Sequence, residues 1–249
     1  MTTAMSLALS ISLLGAAGAP PKSPPKKTFE SDVLKTAKGD ITLTFIGHGT
    51  LMLKFNDKVV HIDPVGQYAD YAKLPKADLI LVTHEHGDHL DARAIEQIST
   101  DKTEIVLTAA CQAQLKKGTV MKNGDKSTAA GFAIEAVPAY NVKHTRPGGA
   151  PFHPKGAGNG YVIACGETRI YVAGDTENIP EMAALKDIHV AFLPMNLPYT
   201  MTPEMVAEAA KTFTPKILYP YHYGKTDAKV LADLLKAEKD IEVRIRQMQ

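Results

Sequence analysis

Apolar residues along this chain recur at two spacings, one for strands and one for helices. Ile41–Ile46, Thr50–Phe55 and Lys58–Ile62 are rich in β-branched and aromatic residues and predict three short strands. Gly47 and Gly49 separate the first pair and Asn56-Asp57 the second, which predicts a meander of hairpins. Asp78–Val82 (DLILV) is a continuous apolar run, the pattern of a central strand buried on both faces. Asp91 can cap a helix over Ala92–Ile98, Glu104–Thr108 reads as a strand, and Ala109–Lys116 as a helix. The second half repeats the style. Phe132–Val137, Tyr161–Ala164 and Arg169–Val172 predict strands, Ile179–Leu185 a short helix, and Val190–Leu193 a buried strand.

Thr202, Pro203 and Glu204 are three agreeing helix-start signals, and Met205, Val206, Ala209, Ala210 and Phe213 give the helix one apolar face. Ile217–Tyr219 predicts a strand. Asp227–Lys236 predicts a helix with Val230, Leu231, Leu234 and Leu235 on one side, and Ile241–Ile245 a closing edge strand. Strands with helices, twice over, imply an α/β fold of two mixed sheets packed face to face with helices outside. A doubly wound nucleotide fold is disfavoured, because no Gly-rich fingerprint follows the first strand.

The ends of the chain have a different character. Residues 1–19 hold an apolar run, Met5 to Leu14, followed by the small residues 15–19, and so predict a signal peptide and a periplasmic or secreted protein. The competing reading is a disordered apolar tail on a cytoplasmic protein. Residues 20–40 open with PPKSPPKK and read as a linker and lead-in, with the folded domain over residues 41–249 and its start near Phe29 or Ile41.

Composition narrows the function classes. The 249 residues are 45% hydrophobic, which excludes a disordered chain and suffices for a sizeable core. A net charge of +1 gives no electrostatic footprint for nucleic acid or an anionic membrane. Cys111 and Cys165 are too few for a disulfide framework. They read as a buried helix residue and a strand-end residue.

The chemistry concentrates after DLILV, in Thr83-His84-Glu85-His86-Gly87-Asp88-His89. In extended backbone His84 and His86 leave on one face, and Gly87 permits a turn that sends Asp88 and His89 to a second centre. So many desolvated polar groups need a partner, and a metal is the one that imidazole and carboxylate share.

His84-Glu85-His86-Gly87-Asp88-His89 resembles the His-x-His-x-Asp-His motif of the metallo-β-lactamase superfamily. Gly47-His48-Gly49-Thr50 and Ile62-Asp63-Pro64 are similar to the opening motifs of its branch containing ascorbate-6-phosphate lactonase and the phospholipase D that acts on N-acyl-phosphatidylethanolamines. Ala173-Gly174-Asp175-Thr176 and Tyr221-His222-Tyr223-Gly224 resemble its later ligand motifs. The resemblance runs from about Ile41 to about Asp227.

It implies a four-layer αββα sandwich and two Zn2+ ions, with manganese or iron compatible with the same donors. His84, His86 and His153 would hold the first metal, Asp88, His89 and His222 the second, and Asp175 would bridge them. The family places a histidine after the strand ending at Val137-Pro138-Ala139-Tyr140. Asn141 stands there instead, leaving His144 and His153 as candidates, with His153 preferred. Asp88 and His48 are the catalytic candidates: Asp88 to orient water or pass a proton, His48 to contact substrate or support a ligand. Asp63 would orient a ligand histidine, and one of Tyr199, Tyr219, Tyr221 and Tyr223 could serve an oxyanion. His61 and His189 read as packing or surface residues.

The implied activity is hydrolysis of a small ester, lactone or phosphodiester by a metal-bridging hydroxide. A β-lactamase, a nuclease and a non-catalytic metal-binding protein of the same fold are the alternatives. A small-molecule substrate is expected, with neither nucleic acid nor stable membrane insertion. The loops 141–160 and 196–202 would set selectivity.

Overall fold

The computed structural model describes residues 28–248, so the predicted leader and the linker as far as Lys27 lie outside the described residues. Two seven-stranded sheets divide the chain between them. The first contains, in spatial and chain order, Glu30–Leu34 (β1), Ile41–Gly47 (β2), Thr50–Phe55 (β3), Lys58–Ile62 (β4), Leu79–Leu81 (β5), Glu104–Leu107 (β6) and Thr119–Val120 (β7). The second contains Lys126–Ala129 (β8), Phe132–Ala139 (β9), Gly158–Cys165 (β10), Thr168–Val172 (β11), Ile188–Pro194 (β12), Ile217–Tyr221 (β13) and Glu242–Val243 (β14), again in chain order.

Each sheet begins as an antiparallel meander and ends as a parallel array. Pairing is antiparallel from β1 to β4 and parallel from β4 to β7. It is antiparallel from β8 to β11 and parallel from β11 to β14. Parallel neighbours need crossovers, and the helices lie in them. Ala92–Ile98 (α1) and Ala109–Leu115 (α2) serve the first sheet; Pro203–Phe213 (α3) and Ala228–Leu235 (α4) serve the second. Asp91, Thr108, Thr202 and Asp227 cap them by accepting backbone N–H groups.

The DLILV run explains the layering. Leu79 and Leu81 point into the space between the sheets, where they join Leu53, Ile62, Ile163, Ile170 and Phe192. Ile80 and Val82 point the other way and pack with Ile95, Ile98 and Cys111 beneath α1 and α2. A strand with period-two side chains and helices on one face must be apolar at every position.

Two expectations change, in α4 and in the closing strand. From Glu30, one residue after Phe29, β1 adds an antiparallel edge to β2. Its composition hides it: Val33 stays half exposed and its anchor is polar, with Asp32 accepting from Tyr219 Oη and the Arg246 guanidinium. In α4, Ala228, Leu231 and Leu235 face the core, while Val230 and Leu234 remain 39% exposed, because they lie off that three-four stripe. The closing edge strand is two residues long instead of five. Among the described residues no helix is long and apolar enough to cross a membrane.

Candidate metal centre

The strand ends converge on one rim. His48 follows β2, Asp63 follows β4, residues 84–89 follow β5, Asp175 follows β11, and His222 follows β13. His153 comes from the long β9–β10 connection. At this rim three sets of donor atoms lie within 4.8 Å of one another: His84, His86 and His153; His84, His89 and Asp175; and His48, Asp88 and His222.

Asp175 lies between the outer two sets. Its Oδ2 is 3.3 Å from His153 Nε2, 3.5 Å from His222 Nε2 and 3.9 Å from His84 Nε2. Its Oδ1 is 3.5 Å from His89 Nε2. Asp88 Oδ2 is 3.4 Å from His222 Nε2, 3.8 Å from His89 Nε2 and 3.1 Å from His48 Nε2. The structure thus brings together all seven sequence-predicted ligands, with His48 beside Asp88 as an eighth member. Glu85 belongs to none of these sets.

Supporting hydrogen bonds turn the ring nitrogens toward the centre. Buried Asp63 accepts from His89 Nδ1 at 2.8 Å, from the Thr83 backbone N–H at 2.8 Å and from Thr83 Oγ1 at 2.7 Å. The Thr83 hydroxyl, its proton directed at Asp63, accepts from His84 Nδ1 at 3.0 Å. Nδ1–H is thereby fixed on both rings, which turns Nε2 inward. Asn141 Oδ1 does the same for His153, accepting its backbone N–H and its Nδ1–H at 2.8 Å each. Gly49 makes room for this packing, since a Cβ there would lie 2.7 Å from His89 Cε1. Strain also gathers here: His48, Asp63 and His222 hold left-handed backbones, with φ of 54°, 45° and 47°.

The residues fit a bound cation. His89 Nε2, Asp175 Oδ1 and both ring nitrogens of His222 are buried without a hydrogen-bond partner, a costly state that ligation to a metal would relieve. Burial, then the His89 charge, holds His84 well below the usual imidazole range, and so neutral and able to ligate. Burial opposes charge on His89, yet Asp175, Asp63 and Asp88 hold its pKa up to about 9. Burial likewise opposes charge on Asp175, and His222 and His89 outweigh it, keeping that carboxyl well below its ordinary value.

The two candidate histidines lie apart in space. His153 points into the cluster. His144 lies outside every set of donors, with Nδ1 2.8 Å from Glu177 Oε1. Glu177 is buried and organises this loop, accepting the backbone N–H groups of Val142, Lys143 and His144 and the Asn141 amide. Burial works against its charge, and these donors outweigh burial and lower its pKa. Neither Glu177 nor the holding role of Asn141 had a sequence signal beyond proximity to Asp175 and to the missing histidine.

A cavity of about 450 Å3 opens over the cluster, lined by His48, Asp88, Arg146, Phe152, Asn196 and Tyr199 among others. Of the four tyrosines, Tyr199 alone lines it; the hydroxyls of Tyr219 and Tyr223 bond to Asp32 and the Arg246 carbonyl. His61 is buried against Tyr71 with Nε2 on the Pro75 carbonyl, and its pKa is lowered to about 4 by burial. His189 Nδ1 accepts the Arg169 N–H. Both are packing residues. Cys111 and Cys165 are free and buried.

The family described as "Beta-lactamase superfamily domain" matches residues 42–222. A UPF0173 metal-dependent hydrolase from Pelotomaculum thermopropionicum is 32% identical over 218 residues, covering 82% of this chain and 95% of that protein. One from Enterococcus faecalis is 33% identical over 72% of this chain and 84% of its own length. Among solved structures, a metal-dependent hydrolase from Parabacteroides distasonis is 51% identical with a TM-score of 0.85, over 89% of this chain and all of that one. The metallo hydrolase Igni18 of Ignicoccus hospitalis shares the fold at 22% identity and a TM-score of 0.70, over 84% of this chain and 96% of its own.

Proposed function

This chain belongs to the metallo-β-lactamase superfamily of metal-dependent hydrolases, and from that premise we propose that it is a dinuclear, zinc-dependent hydrolase of a small ester, lactone or phosphodiester. The observation that carries the proposal is the pair of donor sets on either side of Asp175. His84, His86 and His153 would hold one ion, Asp88, His89 and His222 the other, and Asp175 both. Two such cations, when bound, supply hydroxide at neutral pH and polarise a carbonyl or phosphoryl oxygen.

The chain's own residues do the rest. Asp88 is the most open of the carboxylates, with its side chain 42% exposed to the cavity. Burial opposes its charge, and His222 and His48 outweigh burial, so it stays ionised. His48 is held below its ordinary pKa by burial, and it remains neutral and donates Nε2–H to Asp88 Oδ2. That bond fixes the carboxylate where it can take a proton from water and return it to a leaving group. The near-neutral net charge favours a small substrate over a nucleic acid backbone.

Metal content and turnover test this together. Zinc-loaded protein should carry two ions per chain and open at least one member of a panel of γ-lactones, aryl esters and bis(4-nitrophenyl) phosphate. Asp88→Asn should lower turnover by about 100-fold or more. A single ion per chain, or full activity in Asp88→Asn, overturns the proposal.

A further inference from the structure

One side chain in the cavity has no task in the chemistry above. Arg146 is the sole Lys or Arg among the residues lining the cavity. It sits on a small hairpin in which Thr145 bridges Pro151, the Arg146 N–H donates to the Ala150 carbonyl at 2.7 Å, and Gly149 N–H donates to the Arg146 carbonyl at 2.9 Å. Its guanidinium carbon lies 5.2 Å from the Phe152 ring centroid, over the ring. The Phe152 ring meets the Tyr199 ring edge to face at 5.0 Å. The guanidinium is thus carried on an aromatic platform built from the residue next to His153, which ties its position to the cluster.

Its hydrogen bonding is incomplete. A guanidinium offers five N–H donors. Among the described residues one contact is made, from Nη2 to the Phe152 carbonyl at 3.3 Å, and no carboxylate pairs with the charge. The other nitrogen-bearing side chains lining the cavity are Asn196 and the imidazoles of His48, His86, His153 and His222, which belong to the cluster. A planar fork with free donors, facing the same cavity as the hydrolytic centre, matches a carboxylate or a phosphate oxygen pair.

We infer that the substrate carries, apart from the bond that is cleaved, an oxyanionic group that pairs with Arg146. The inference rests on the hydrolase reading for the word substrate, but the anion site itself does not. An acyl or phosphoryl centre would sit at the metal cluster with the substrate's charged end directed to Arg146. The Phe152–Tyr199 pair would form the apolar wall between them. Arg146 is a specificity residue, distinct from the groups that act on the reacting atoms.

The test uses direct binding. Butyrate, glutarate and 4-phosphonobutyrate share a carboxylate and a short apolar chain, and the latter two add a second anionic end. Calorimetry on the zinc-loaded protein should give glutarate or 4-phosphonobutyrate about tenfold or greater preference over butyrate. Arg146→Ala should abolish that preference, and Arg146→Lys should keep part of it, with melting temperature and zinc content unchanged in both. The better of the two dianions identifies the group as carboxylate or phosphate. Equal affinities in the parent protein, or an undiminished preference in Arg146→Ala, overturns the inference. Turnover of 4-nitrophenyl acetate and mono-4-nitrophenyl succinate separates the two readings. An Arg146-dependent anion preference without hydrolysis of any ester or phosphodiester leaves the anion site standing and removes the hydrolase. Hydrolysis without the preference does the reverse.

Discussion

Asn141 stands at a strand end where the family resemblance calls for a histidine, and the structure gives it different work. Its Oδ1 takes both N–H groups of His153, so it positions a candidate ligand instead of serving as one. The His84–His89 cluster was readable from its spacing, since two residues of extended backbone and one turn determine where its donors point. Between His144 and His153 the pattern supported only a preference for His153. Their separation in space depends on Glu177, 33 residues beyond His144 in sequence, which gathers three loop N–H groups and holds His144 beside it. His153→Ala should therefore lose one of two bound ions, and His144→Ala should retain both, as elemental analysis of the zinc-loaded variants will show. The reverse pattern would reassign the ligand. Asn141→Ala should weaken metal binding by about 10-fold or more, because the His153 ring loses its tautomer and orientation.

At the scale of elements, the clearest departure from pattern is β1. Its residues lack a two-sided apolar pattern, and its attachment is an ion cluster with the other end of the chain. Arg246 reaches Asp32 through Nε at 3.0 Å and Nη2 at 2.7 Å, and Arg244 lies at 3.4 Å. Burial works against the Asp32 charge, but hydrogen bonds from Tyr219 and Arg246 outweigh it and lower the pKa. A carboxylate whose folded pKa is depressed contributes stability above its unfolded value, near 3.8, and loses that contribution as pH falls through the folded value. Asp32→Asn should cost about 1–3 kcal/mol at pH 7. The difference from the parent should shrink as pH is taken below 4, as urea unfolding at a series of pH values can measure. A pH-independent difference would show that the cluster's charge is irrelevant to holding the edge strand.

On the scale of the whole molecule, two seven-stranded sheets with the same meander-then-crossover plan face each other. Phe192 lies between them, stacked 5.0 Å from Tyr219 and 6.3 Å from Phe45 across the interface. Phe192→Ala should cost about 3–5 kcal/mol through the cavity it leaves. It should lower Tm by roughly 2–4 °C for each kcal/mol, measurable by calorimetry. If Tm is unchanged, the two sheets do not depend on this contact.

The split between sequence and structure follows from range. Local pattern sufficed for the strands β2 to β6, the helices and the caps Asp91 and Thr202, because period, turn residues and capping side chains act within a few positions. It also determined that a dense His/Asp run follows a buried strand, and hence that metal chemistry was the reading to test. What it could not determine is whatever depends on chain segments meeting from far apart. The edge strand β1 is held by Arg246, more than 200 positions away. His144 is held apart from the donor sets by a carboxylate on another loop. Arg146, an unremarkable basic residue in a Gly/Pro loop, becomes the lone cationic arm of the cavity. Each of these is set by the packing of the two sheets, which brings six separate strand ends and loops to one rim and packs their polar groups against one another.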